Sequence, residues 1–170
     1  MERFNDWQTA AIATISAQLP TLNKHQILLI SPEPSATLKQ WCEKQSLADN
    51  HIALDVTHIQ SLEESSALSE NFALALIHSV IDEKPKSQSQ MLLGRCHNLL
   101  ASRVWLTITA QSAWTLSDLL ALGFKRVSTV ENPSGDLTCF GYDLATYNHK
   151  RKWNNPQYWA NPENWNKFRW

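Results

Sequence analysis

Apolar and polar positions along the chain change their spacing from one segment to the next. Between residues 4 and 19 the apolar side chains recur every three or four positions, which is typical of a helix with one buried face. Pro20 follows and ends this helix, because proline lacks the amide N–H that a helix interior needs. Residues 26–31 are a short, almost unbroken apolar run, the pattern of a strand buried on both faces of a parallel sheet.

The same change of spacing continues through the middle of the chain. Ser35 is a predicted N-cap for a helix of about a dozen residues, and residues 51–56 predict a second strand. Residues 72–77 repeat the buried-strand pattern, and a helix over 89–100 leads into a fourth strand at 104–109. A strand, helix, strand order predicts right-handed crossovers between parallel strands.

The last third of this region predicts a different connection. A helix over 115–122 ends at Gly123, the residue type that most often follows a helix. Strands at 124–130 and 137–144 come next, and the residues between them carry Asn-Pro and a glycine, which are turn signals. The sheet is therefore predicted to close on an antiparallel hairpin.

This order of elements resembles the class I S-adenosylmethionine-dependent methyltransferases over about residues 24–145. In that family the final two strands form such an antiparallel pair. The segment 71–109 is also similar to the second half of those enzymes, with a strand ending near His78, an acidic loop and a leucine-rich helix. The resemblance implies an α/β domain over residues 1–146, with a three-layer, Rossmann-like, mostly parallel sheet, a C-terminal antiparallel hairpin and an N-terminal helix at 4–19.

The loop after the first strand departs from the family pattern. The family places glycines there so that the backbone can approach the cofactor closely. The matching stretch from Ser31 to Thr37 contains no glycine, and its two prolines each remove an N–H donor. The predicted consequence is that no cofactor is bound; S-adenosylmethionine is the cofactor if the family activity is retained.

Two residues remain as candidates for contact with the cofactor. Ser31 follows the first strand, and Asp55 stands at the end of the predicted second strand, where the family has an acid that accepts hydrogen bonds from the ribose hydroxyls. An aspartate at a strand end is also a common helix cap or turn residue. The short interval from Asp55 to Phe72 leaves room for little more than a loop and a short helix, so a strand and a helix of the full fold are predicted to be missing.

His78 is the candidate catalytic residue. It ends a central strand, where ligands of open α/β sheets bind, and an imidazole there could take a proton from a methyl acceptor. The alternative is a histidine that only makes structural hydrogen bonds. The sequence contains no G-x-S-x-G elbow, no phosphate-binding P-loop and no G-x-G-x-x-G. The usual sequence signals of hydrolases, nucleoside triphosphatases and dehydrogenases are therefore missing.

Composition narrows the class of protein further. The 170 residues suffice for one domain with a core, and the chain contains no apolar run of about 18 residues, so no membrane segment or signal peptide is predicted and a cytoplasmic location is expected. The three cysteines are far apart and the six histidines show no metal-ligand spacing. Neither a disulfide framework nor a metal site is predicted.

Residues 147–170 form a separate compositional segment, the C-terminal tail. They carry a net charge of +4, against −5 for residues 1–146, and hold four of the eight tryptophans. The motif Asn-Pro-x-x-Trp occurs twice, ending at Trp159 and Trp165, and each copy predicts one helical turn that begins at the asparagine. The tail also predicts membership of a bacterial protein family with no established activity.

Three roles for the tail remain open. It could pack on the domain and cover an exposed part of the sheet, or dock a protein partner, since Trp, Tyr and Arg are enriched in binding hot spots. It could also bind single-stranded nucleic acid through cations and stacking rings. The residues concerned are Lys150, Arg151, Lys152, Trp159, Trp165 and Arg169.

The first functional hypothesis is a methyltransferase-like domain without ordinary cofactor binding that acts through an interaction surface. The alternative is an active S-adenosylmethionine-dependent methyltransferase with a divergent cofactor loop. A second alternative is a single-stranded nucleic-acid-binding module built on the tail. Whether the chain is an enzyme is left open by the sequence.

Overall fold

The computed structural model describes residues 6–18, 26–47, 55–68, 71–130, 136–147, 161–164 and 167. Helices and strands alternate through most of these residues. They are α1 (Asp6–Gln18), β1 (Gln26–Ile30), α2 (Ala36–Leu47), β2 (Asp55–Ile59), α3 (Leu62–Ser66), β3 (Leu74–His78), α4 (Val80–Glu83), α5 (Lys86–Arg95), a π-helical turn (Cys96–Leu100), β4 (Arg103–Thr109), α6 (Leu116–Ala121), β5 (Lys125–Val130), β6 (Leu137–Asp143), α7 (Leu144–Tyr147) and a 3₁₀ turn (Pro162–Asn164).

The six strands form one mixed sheet in the order β2-β1-β3-β4-β6-β5. The first four of these are parallel to one another. β6 lies antiparallel between β4 and β5, so the hairpin strand is inserted into the sheet beside β4. The carboxyl ends of the parallel strands therefore meet at one edge of the sheet, and this edge carries the loops that follow β1 and β3.

Helices cover both faces of this sheet and bury a separate core on each. On one face α1 contributes Trp7, Ala11 and Ile15 at intervals of four residues, and they pack with α2 against β1, β3 and Trp105 of β4. On the other face α4, α5 and α6 pack over alternate residues of the same strands. β1 and β3 are buried on both sides, as a continuous apolar run predicts.

The fold predicted from the sequence is confirmed: a three-layer, Rossmann-like α/β domain with a mostly parallel sheet, an antiparallel hairpin and an N-terminal helix. The described part of the connection between β2 and β3 contains one five-residue helix, α3, and no strand, as the short interval there predicted. None of the described helices is long and apolar enough to cross a membrane.

The position of the second strand was predicted wrongly. The strand was expected at 51–56, but the described strand β2 runs over Asp55–Ile59 and ends three residues later; residues 48–54 lie outside the described residues. β2 is an edge strand in which Val56, Thr57 and His58 are half-buried and Ile59 is buried. Such a strand has no continuous apolar run. The more apolar residues just before it therefore led the sequence-based prediction to end the strand three residues too early.

The chain's glycines supply a test of backbone geometry. Gly123 has φ +87, and a Cβ there would lie 2.5 Å from Cε2 of Tyr147. Gly94, inside α5, would meet no atom within 4 Å. We expect Gly123→Ala to lower the free energy of unfolding by about 1–2 kcal/mol, because L-residues are strained in the left-handed region.

Gly94→Ala is the matched control, and we expect it to raise the free energy of unfolding by about 1 kcal/mol through helix propensity. Urea denaturation of both variants measures the two changes. Equal effects of the same sign would contradict the left-handed assignment at Gly123.

Candidate functional site

An open crevice of about 260 Å³ lies at the carboxyl ends of β1 and β3. The chain passes from β1 outward to β2 and returns across β1 to β3, so this is the point where the strand order reverses. Ligands of open α/β sheets bind at such a point. The crevice, called here the β1–β3 crevice, is lined by residues that include Trp7, Ser31, Glu33, His78, Ser79 and Glu83.

The loop after β1 forms one wall of the crevice and is held by its own hydrogen bonds. Ser31 is 1% exposed, and its hydroxyl donates to the carbonyl of Glu33 at 2.5 Å. The Ser31 amide donates to the carbonyl of Ile59, and its carbonyl accepts from Nε2 of His58 at 3.0 Å. The polar groups of Ser31 are thus engaged within the fold, while the Glu33 side chain stays exposed.

Ser35 closes this loop as the N-cap of α2. Its hydroxyl accepts a hydrogen bond from the amide of Leu38 at 3.0 Å, which confirms the predicted cap. The loop runs without a left-handed residue, because the only positive φ values among the described residues belong to Ser79 and Gly123. Side chains of the loop, and not bare glycine backbone, therefore face the crevice.

His78 lies in the β1–β3 crevice at the last position of β3, where the sequence placed it. Its Nδ1 is 2.7 Å from Oγ1 of Thr107 on the neighbouring strand β4, and its Nε2 is 3.1 Å from Oγ of Ser79. Burial lowers the pKa of His78 to about 4. The imidazole is therefore uncharged at neutral pH, so one of its two nitrogens is unprotonated.

The indole of Trp7 covers one face of this imidazole. The ring centroids are 4.2 Å apart and the ring planes differ by 11°, which is a parallel stack. Trp7 is 7% exposed and is the first member of the apolar stripe of α1, so the helix carries its ring across the edge of the sheet. The stack fixes the plane of the His78 ring and shields it from water.

Ser79 connects β3 to α4 in an unusual backbone conformation. Its φ of 59 places it in the left-handed region, which few residues other than glycine occupy. It stands at the N-cap position of α4 but makes no side-chain capping bond. Its hydroxyl faces Nε2 of His78 instead. Strained residues of this kind concentrate at functional sites.

The structure does not bring Asp55 to the β1–β3 crevice. Asp55 is the first residue of β2 and pairs with Gln26, the first residue of β1, so it lies at the amino ends of the strands. At about 3.3 Å per residue, four residues separate it from the carboxyl ends by roughly 13 Å. The predicted position of Asp55 was wrong because the second strand was placed too early.

The tail candidates lie outside the described residues; these are Lys150, Arg151, Lys152, Trp159, Trp165 and Arg169. One feature of the tail is described. Pro162–Asn164 is a 3₁₀ turn that begins directly after Asn161, and the Asn164 amide donates to the carbonyl of Asn161. The second Asn-Pro copy therefore forms the predicted single helical turn.

Sequence reasoning did not assign Trp7, Thr107 or Ser79 to the site. Trp7 matches the apolar period of α1 and carries no other signal. Thr107 is a polar residue within the apolar part of β4, and this is the one sequence feature that suggests a hydrogen-bond partner for its hydroxyl. For Ser79 the sequence predicted the end of a strand followed by an acidic loop; the helix α4 that begins at Val80 was not predicted, and the left-handed backbone is a property of the folded chain.

Comparisons with known proteins agree with this architecture. A model of a family of unknown function, DUF6231, matches residues 7–170. A comparison with curated proteins finds no match. Several solved methyltransferase structures share the fold at low sequence identity.

Two of these structures illustrate the similarity. Magnesium protoporphyrin IX methyltransferase from Synechocystis PCC 6803 has a TM-score of 0.54 at 10% identity, over 83% of this chain and 84% of that one. The 1,6-didemethyltoxoflavin-N1-methyltransferase from Burkholderia thailandensis has a TM-score of 0.51 at 15% identity, over 80% of this chain and 78% of that one. The chain therefore has a class I methyltransferase-like fold.

These structures contradict the prediction that no cofactor is bound. The Synechocystis enzyme was crystallised with S-adenosylmethionine and with S-adenosylhomocysteine, and the Burkholderia enzyme with S-adenosylhomocysteine. That prediction rested on the loop after β1, which has no glycine and contains two prolines. The structure shows a glycine-free loop that still borders an open crevice at the strand ends, so the missing glycines do not close the site.

Proposed function

The chain belongs to DUF6231, a family of unknown function, and we propose that it is an S-adenosylmethionine-dependent methyltransferase with its cofactor in the β1–β3 crevice. The observation that carries this proposal is the open crevice at the switch point of a methyltransferase-like sheet, with two carboxylates on its lining, Glu33 and Glu83. In open α/β sheets such as this one, ligands bind at the carboxyl ends of the parallel strands.

The chemistry of the lining residues fits this cofactor. S-adenosylmethionine carries an ammonium, a sulfonium and a ribose diol. A carboxylate accepts hydrogen bonds from the ammonium and from the ribose hydroxyls, and its negative charge attracts the two cationic groups. Glu33 and Glu83 supply these acceptors, and none of the described residues that line the crevice is a lysine or arginine. α2 begins at Ala36 beside the same loop, and the unpaired amides of a helix start suit the carboxylate of the cofactor.

The size of the β1–β3 crevice sets how the cofactor is held. Small-molecule sites occupy about 300–1,000 Å³, and about 260 Å³ is slightly below that range. Part of the cofactor therefore extends from the crevice into solvent. Because the loop after β1 presents side chains and no glycine, Glu33 contributes more of the binding than the backbone does.

The residues at the strand ends define the chemistry. Bound S-adenosylmethionine supplies an electrophilic methyl group. His78 is the group that takes a proton from a methyl acceptor, because it lines the crevice and its imidazole is uncharged at neutral pH. The lining carries negative charge, so it favours a neutral or cationic acceptor with an N–H or O–H group over an anionic one.

Calorimetric titration with S-adenosylhomocysteine tests the proposal. We expect the chain to bind it, and the double variant Glu33→Gln/Glu83→Gln to bind at least tenfold more weakly, since hydrogen bonds to charged groups contribute about 1.5–3 kcal/mol each. Glu43→Gln is the matched control, because Glu43 is an exposed glutamate of α2 that does not line the crevice.

Two results would overturn the proposal. The first is the absence of binding at millimolar S-adenosylhomocysteine. The second is an equal loss of affinity in the double variant and in Glu43→Gln, which would mean that the effect is one of overall charge and not of the crevice.

A further inference from the structure

A second pocket, of about 210 Å³, lies at the amino edge of the parallel strands, at the opposite end of the sheet from the β1–β3 crevice. Gly141 of β6 leaves the gap, because it pairs with Trp105 of β4 on one side and with Lys125 of β5 on the other and has no side chain between them. Tyr142 and Tyr147 also line this pocket, called here the hairpin pocket.

The sheet around the hairpin pocket presents apolar side chains to solvent. On this face α1 and α2 pack over β1, β3 and Trp105, and α1 reaches the rim of the pocket through Thr14. On the other side of the pocket, Val127 of β5 is 64% exposed and Tyr147 of α7 is 52% exposed. Exposed apolar side chains that border a pocket mark a place where another apolar group binds.

We propose that the hairpin pocket holds the indole of Trp153, which belongs to the segment 148–160, outside the described residues. The chain enters that segment directly from the pocket, because Tyr147 is part of the lining. Trp153 follows six residues later, and six residues of extended chain span up to about 20 Å. The return of its ring to the pocket therefore needs only one short loop.

The lining suits one flat aromatic ring. Trp105, Tyr142 and Tyr147 supply aromatic surfaces, and aromatic pairs are favoured at centroid distances of about 4.5–7 Å. Tyr142 and Tyr147 already form such a pair at 5.5 Å. The pocket is smaller than the about 300–1,000 Å³ of small-molecule sites, and it lies away from the carboxyl ends where ligands of open α/β sheets bind. Both properties favour a side chain of the protein over a free ligand.

Other occupants fit this surface less well. β5 is the edge strand of the hairpin, it carries Lys125 and Arg126 as exposed cations, and a bulge follows at Val127. Charges and bulges on an edge strand oppose pairing with a strand from a second copy of the chain. Trp159 is twice as far from Tyr147 along the chain as Trp153 is, and closing a longer loop costs more conformational entropy.

The proposal gives the tail a place and does not depend on methyl transfer. An indole in the hairpin pocket covers exposed surface of the hairpin and is no longer available to stack on a base or to enter a protein partner. Lys150, Arg151 and Lys152 directly precede it, so they would lie near the amino edge of the sheet, far from the β1–β3 crevice.

The first test is a nuclear Overhauser contact, in the full-length protein, between the ring protons of Trp153 and the methyl groups of Val127. The two sets of signals are identified by their loss in Trp153→Leu and in Val127→Ala. We expect a cross-peak between them. A contact of Val127 with Trp159 instead, or with neither indole, would overturn the proposal.

A double-mutant cycle measures the same contact as stability. We expect Trp153→Ala to lower the folding equilibrium constant in urea denaturation at least about tenfold, the effect of exposing one large apolar side chain. Val127→Lys places a charge at the pocket from an exposed position. In that background we expect Trp153→Ala to have little further effect, because the contact is already lost.

Trp159→Ala is the matched control, since its effect should be the same with and without Val127→Lys. Additive effects of Trp153→Ala and Val127→Lys would overturn the proposal. Nucleic-acid binding by the tail gives a different pattern: a single-stranded oligothymidine at low salt shifts the Trp153 ring signals, and the free protein shows no contact of that ring with Val127. That result would assign the indole to base stacking and would also overturn the proposal.

Discussion

Trp7→Ala is expected to lower the free energy of unfolding by about 3–5 kcal/mol and to raise the pKa of His78 from about 4 toward its ordinary value of 6.5. The first effect follows from the loss of a large side chain that is 7% exposed and joins α1 to the sheet. The second follows because the indole covers one face of the imidazole at 4.2 Å, and its removal admits water.

Urea denaturation measures the stability change, and a histidine ring titration followed by NMR measures the pKa. Trp7→Phe is the control that keeps an aromatic ring over His78. We expect this variant to keep the lowered pKa of His78 and to reduce the free energy of unfolding by less than half as much as Trp7→Ala does. A Trp7→Ala protein whose His78 still titrates near pH 4 would show that the sheet alone buries the imidazole. In that case the stack would be a packing contact without influence on the site.

The parallel part of the sheet was predictable because its central strands are buried on both faces. Each of β1, β3 and β4 is an apolar run bounded by polar residues. The helix predicted over 115–122 corresponds to α6, and the structure adds the reciprocal cap of Thr115 and Asp118 at its start. The prediction of β2 failed because this strand lies at the edge of the sheet. There the apolar period is weak, and the hydrogen bonds to β1 set the register.

The error in β2 carried over into the site. Asp55 was placed at the carboxyl edge of the sheet only because the second strand was placed too early. The prediction for His78 did not depend on β2, since β3 is buried on both faces and its end is marked by the change to polar residues. A candidate residue is therefore as reliable as the strand that positions it.

The contacts that orient His78 could not be predicted from the sequence, for a different reason. Trp7 is 71 positions from His78 in the chain and Thr107 is 29 positions away, so no local spacing relates them. Their proximity comes from two facts of topology: β3 and β4 are adjacent, and the apolar stripe of α1 runs across β1 and β3 to the edge of the sheet.

Acidification is expected to destabilise the chain through His78. The pKa of this imidazole is lowered by burial from 6.5 to about 4, so the folded state disfavours the proton that the unfolded state accepts. The stability that the neutral ring confers is complete above pH 6.5 and is lost as the pH falls toward 4, by up to about 1.4 kcal/mol per pH unit. Over that interval the loss approaches about 3 kcal/mol.

Urea denaturation at pH 7, 6, 5 and 4, with His78→Gln as the reference, measures this loss. The variant lacks the titrating ring but keeps the other acid-sensitive groups, including His97, whose pKa burial also lowers. The hydrogen bond from Lys86 lowers the pKa of Asp118 to about 2, so that carboxylate stays ionised in both proteins across the interval. The original protein should therefore lose about 3 kcal/mol more than the variant between pH 7 and pH 4. Parallel curves would mean that His78 is protonated or hydrated in the folded chain, and that burial does not lower its pKa.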